Sequence, residues 1–157
     1  MSEPEELGEI LFYLELYRDI MAFKIEGLSE EQARFKPTPS ANSLLNLIVH
    51  LTGVERWWFE DAIAGNAIDR SRGDEFGDLD ITVDEALAAY RAAWARSNEI
   101  ARSVQLSDRS KSEMNANLSV RAIMLHVLEE TARHAGHADI TRELIDGTVG
   151  FSRYERD

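Results

Sequence analysis

Cysteine is absent from all 157 residues. That single absence excludes disulfides, thiolate metal ligands and a cysteine nucleophile, so any thiol chemistry has to borrow its sulfur from a second molecule. Proline is scarce too, at three residues, while 44% of the chain is hydrophobic, a composition that folds and does not suit a disordered tail. Bases are outnumbered, 17 against 29 acids, and the formal charge of −12 repels a phosphate backbone, so no nucleic-acid partner is expected. Long apolar runs are missing as well. Asn46, His50, Thr52 and Glu55 interrupt the best of them, well short of the roughly 20 apolar residues a membrane helix needs, and no membrane partner is expected. The opening MSEPEELGEI is acidic where a secretory signal is basic and then apolar, so a cytoplasmic location is the expectation.

The length suits one domain over residues 1–157, long enough to bury a core without staples. Four segments carry a helical period. From Glu5 to Glu26, Leu7, Ile10, Leu11, Leu14, Tyr17, Met21 and Ile25 recur at steps of three and four, marking one buried face. Gly27 stops that helix, and Ser29 with Gln32 forms a capping box for a short turn ahead of Pro37 and Pro39. A second helix starts after Ser40 or Ser43 and runs to about Ala64, with Leu44, Leu47, His50, Leu51, Val54, Trp57 and Trp58 on its inner stripe. Residues 65–80 have three glycines and no sustained period, an irregular loop able to cover a site. Thr82 and Glu85 open a third helix to about Val104, with Leu87, Tyr90, Trp94 and Ile100 inward, and the fourth runs from Ser119 to Asp146 with Gly147 at its end. No internal repeat or strand-period segment occurs. The prediction is an all-α four-helix bundle with long connections, a fold that builds metal and ligand sites from facing helices.

The fourth helix carries the informative pattern. Ile123, Val127, Glu130, His134, His137 and Thr141 follow steps of four and three, so polar groups interrupt the core stripe itself. A buried carboxylate is costly unless it neutralises or meets a cation. Glu130 and His134, four apart, can chelate one ion from adjacent turns, and His50 on the inner stripe of the second helix can supply a third ligand. Two histidines and one carboxylate leave open positions on zinc, nickel or iron, as catalytic sites do. The alternative without metal pairs Glu130 with Arg121, Arg133 or Arg142 and leaves the histidines in a polar network, although Arg133 and Arg142 are expected to face outward.

Two blocks, NSLLNLIVHLTGVERWWFEDAIAG and LHVLEETARHAGHADITRELIDGT, together with GLSEEQARFKP, resemble the DinB-like superfamily. The likeness is close to its actinobacterial branch, related to mycothiol-dependent maleylpyruvate isomerase, and covers nearly the whole chain. It implies a four-helix bundle with one divalent metal, zinc or nickel, held by His50 and by an E-x-x-x-H pair at Glu130 and His134. His137 stands where many relatives carry glutamine, which suggests an outer or substrate-facing role. His126 is either a fourth ligand, an outer partner or a boundary histidine, and Asp139 is an outer acceptor or a solvated residue. Trp57 and Trp58 suit a pocket wall, a core or a subunit interface. Arg56 and Arg121 suit either a carboxylate-bearing ligand or surface ion pairs.

The resemblance implies a metal-dependent transferase acting on a small-molecule substrate, with a low-molecular-weight thiol such as mycothiol as cosubstrate, and hydrolysis by metal-activated water is its chemical neighbour. A second class is a non-catalytic metal- or ligand-binding bundle associated with stress, and family habit with exposed aromatics suggests a homodimer. A third is a buried polar network without metal.

Overall fold

The computed structural model describes residues 2–39 and 42–150. Its helices begin and end where short-range chemistry directs them. Helix α1, Glu3–Ile25, starts at Ser2, whose capping box with Glu5 places the first residue two ahead of the start that periodicity gives, and Pro4 fits the first turn. It stops before Gly27, whose φ of +76° is left-handed backbone that glycine adopts without cost. The single turn α2, Glu30–Ala33, has the Ser29–Gln32 box. Helix α3, Leu44–Glu55, is capped by the Ser43 hydroxyl, which accepts from the Asn46 N–H. Ser40, the alternative start, lies outside the described residues, as do tail residues 151–157. Helix α4, Val83–Arg102, opens on the Thr82–Glu85 box. Helix α5, Val120–Asp146, runs from the Ser119 cap to Gly147 at φ +77°.

The second long helix is not α-helical throughout. From Arg56 to Ile63 it continues as a π-helix, which takes an extra residue per turn and rotates everything beyond Glu55 relative to a 3.6-residue period. Trp57 and Trp58 are half-buried there, while Phe59, Ala62 and Ile63 fill the core.

The protein is an all-α bundle, and no strand forms among the described residues. Helix α1 rests chiefly on α5 and α3 on α4, and α3 also meets α5. Leu14, Ile25, Ile48, Phe59, Tyr90, Val127 and Ala138 sit in the continuous core between them. Of the inward residues expected on α4, Leu87, Tyr90 and Ile100 are buried and Trp94 packs partly against the core. No described helix is long and apolar enough to cross a membrane.

Three helices are also joined by buried charge. Arg18 of α1 donates from Nε and one terminal nitrogen to the two oxygens of Glu55 on α3, at 2.7 and 2.6 Å, and from the other nitrogen to Asn98 Oδ1 of α4 at 2.9 Å. Asn98 in turn donates to Glu15 at 2.7 Å.

Candidate metal centre

The contact between α3 and α5 brings His50, Glu130 and His134 together. Each offers a ligand atom, and these atoms all lie within 4.8 Å of one another. Glu130 and His134 meet because four residues make little more than one turn: Oε2 is 3.2 Å from Nε2. His50 approaches across the helix interface, with its ring centroid 5.0 Å from that of His134 and the planes at 81°. Arg133, expected to face outward, has a half-exposed stem, yet its guanidinium folds back to 2.5 Å from Glu130 Oε2. That oxygen is buried, and neither approach has the direction of a hydrogen bond, so it has no hydrogen-bond partner among the described residues.

Electrostatics keep the donors in the forms a cation needs. Burial lowers the pKa of His134 to about 4, helped by the neighbouring His50. Burial lowers that of His50 too, against the opposing pull of Glu75. Burial pushes the Glu130 carboxyl up, but the Arg133 guanidinium, with His134 and His50, outweighs it and the net direction is down. At neutral pH the group is two uncharged imidazoles and one carboxylate, the donor set that suits a borderline divalent ion. The buried Glu130 oxygen, met by the Arg133 charge but without an aligned hydrogen bond, lies amid those nitrogens and fits such an ion.

A pH dependence follows for the metal-free protein. Unfolded His134 takes its proton near 6.5 and folded His134 only near 4, so between these values the unfolded state binds more protons. Its contribution to stability is fully present above about 6.5 and is lost as pH falls toward 4. Urea unfolding in the presence of a chelator should show a lower midpoint at pH 5 than at pH 7, and His134→Gln should flatten that difference.

The remaining sequence candidates divide. His137 is exposed, its Nδ1 3.4 Å from His134 Nδ1, beside the cluster but outside the group of three. His126, also exposed, stacks edge-on against Trp58 at 5.0 Å. It lines a cleft of about 280 Å³ together with His50, Val54, Trp57, Trp58, Arg70, Arg72 and Glu130. Arg121 pairs with Glu6 of α1 at 2.5 and 2.9 Å, and Arg56 pairs with Glu60 at 3.2 Å. Neither lines that cleft. Asp139 reaches the buried Lys24 at 2.6 Å, and Arg142 turns inward to the Lys24 carbonyl at 3.0 Å.

Sequence reading missed Glu75 and Arg70. The Asp74–Phe76 turn of the loop carries Glu75 into the site, where Oε2 lies 2.8 Å from His50 Nδ1, and Arg70 grips both of its oxygens. One signal was present: Gly53, an isolated glycine inside the helical stretch VHLTGVE, where it weakens the helix relative to alanine and where the structure seats Glu75 and Arg70 against the bare backbone.

The model of the mycothiol-S-transferase family matches residues 9–147. The chain belongs to this family. Among solved structures, this mycothiol S-transferase family member resembles a conserved protein from Enterococcus faecalis, with a TM-score of 0.61 and 17% identity over 90% of this chain and 97% of the other. At that identity the likeness concerns the fold. No curated protein matches the chain.

Proposed function

We propose that this mycothiol S-transferase family member is a divalent-metal-dependent enzyme that joins a low-molecular-weight thiol of the mycothiol type to a small electrophile. His50, Glu130 and His134 would hold the ion, zinc or nickel. The observation that carries the reading is the convergence of three donor atoms within 4.8 Å on a cleft that His50 and Glu130 themselves line. When bound, the ion acidifies a thiol that binds beside it, which a cysteine-free chain requires if sulfur is to be its nucleophile.

The chain's own groups supply the rest. The two imidazoles bring no charge, so Glu130 alone offsets part of the cation and leaves it net positive, the state that favours a thiolate. Trp57 and Trp58 give the cleft apolar walls, and the exposed Arg72 adds positive charge beside them in a chain of net charge −12, the charge of Arg70 being met by Glu75. An electrophile with an acidic substituent is drawn to that charge.

The test is spectroscopic. Cobalt-substituted protein titrated with mycothiol is expected to develop a thiolate-to-metal charge-transfer band and to conjugate a model electrophile. Cobalt binding with neither band nor conjugate would sink the transferase and leave a metal-binding bundle.

A further inference from the structure

The buried carboxylate delivered by the 65–80 loop has no place in the ligand set. Glu75 is 6% exposed, and a buried carboxylate stays only where its oxygens are satisfied. Arg70 satisfies them by donating from Nε to Oε1 at 2.6 Å and from a terminal nitrogen to Oε2 at 2.9 Å. The loop is fastened to α3 by Asn46, whose amide donates to the Glu75 and Gly77 carbonyls at 2.9 and 3.1 Å. Phe76 covers the His50 ring at 5.0 Å. Helix α3 makes room: a Cβ at Gly53 would overlap Glu75 Oε1 and lie 2.8 Å from Arg70 Nε.

We infer that Glu75, aimed by Arg70 and admitted by Gly53, is a positioning residue that holds His50 as the Nδ1–H tautomer and so reserves the Nε2 lone pair for the ion. The inference rests on His50 being a ligand, as proposed above. Both Glu75 oxygens already accept from Arg70, so the hydrogen between Glu75 and His50 belongs to Nδ1. A neutral imidazole carries one N–H, which leaves Nε2 as the acceptor. Arg70 also approaches Nδ1, at 3.4 Å, and would favour the opposite tautomer. The 2.8 Å carboxylate contact is the shorter and wins. Ligating histidines are commonly oriented by such outer partners, whose loss weakens metal binding about 10- to 100-fold.

Two substitutions and two readouts test this. Long-range ¹H–¹⁵N correlation spectra of the metal-free protein report the tautomer of His50, and chelator competition reports zinc affinity. The unmodified chain should show Nδ1–H. Glu75→Gln should shift that tautomer balance and weaken zinc about 10- to 100-fold. Gly53→Ala should do the same by displacing the carboxylate, while alanine favours helix over glycine, so a folded helix with weakened zinc binding cannot be ascribed to unfolding. An Nε2–H tautomer in the unmodified chain, or zinc affinities within twofold of it in both variants, would overturn the role of Glu75. Absence of zinc binding by the unmodified chain would instead overturn the ligand reading on which that role depends.

Discussion

Glu55→Ala is expected to cost about 3–5 kcal/mol of folding stability, a large part of the roughly 5–15 kcal/mol that holds a domain of this size together. The expectation comes from what is left behind. Arg18 is fully buried, and its charge is met by the two Glu55 oxygens at 2.6 and 2.7 Å. A guanidinium keeps its charge in the protein interior, so removing the carboxylate leaves a buried cation with Asn98 as its remaining hydrogen-bond partner in the network and Phe59 beneath it at 5.9 Å. The double substitution Arg18→Met with Glu55→Leu removes both charges and should be far milder, because hydrophobic replacements of similar volume commonly equal or exceed a buried ion pair. Urea unfolding followed by helical circular dichroism checks both. A Glu55→Ala midpoint equal to that of the unmodified chain would mean that water reaches Arg18.

Arg18 and Glu55 also show what a sequence can and cannot disclose. Helix ends were legible because caps are local: Ser29 with Gln32 and Thr82 with Glu85 stand three residues apart, and Gly147 needs only its own left-handed φ. Glu130 and His134 were legible because helical spacing sets their separation. By the same spacing Arg18 lies four after Leu14 and Glu55 four after Leu51, so each interrupts an apolar stripe just as Glu130 does. The pairing itself bridges 37 residues, and no local period encodes that. Residues 65–80 have no period at all, so Glu75 could be found only through the helix that yields to it, at Gly53. The π-helix was invisible for a different reason: a 3.6-residue wheel assumes one uniform turn beyond Glu55, and although Trp57 and Trp58 do line the cleft with His50, half-buried, nothing in the spacing discloses the widened turn that carries them.

His134→Ala is expected to abolish stoichiometric metal binding and, with it, thiol transfer. Protein purified without a metal-affinity tag should contain about one equivalent of divalent ion, and removing a direct ligand should cost more than the roughly 10- to 100-fold typical of an outer partner. His50→Ala should behave alike, since these residues, with Glu130, supply all three atoms of the cluster. Arg133 gives the expectation a sign of its own. Its guanidinium stands 2.5 Å from Glu130 Oε2, on the carboxylate a cation would claim. Like charges crowding one carboxylate oppose each other, so a bound ion must push this arginine aside, and its half-exposed stem allows that at little cost. Arg133→Gln should therefore tighten zinc binding while His134→Ala eliminates it. If Glu130 instead serves the arginine, Arg133→Gln would lower stability by leaving the carboxylate uncompensated, and elemental analysis would find no metal in any variant. The two accounts differ in what the same substitution does to zinc affinity, and chelator competition alongside urea unfolding separates them.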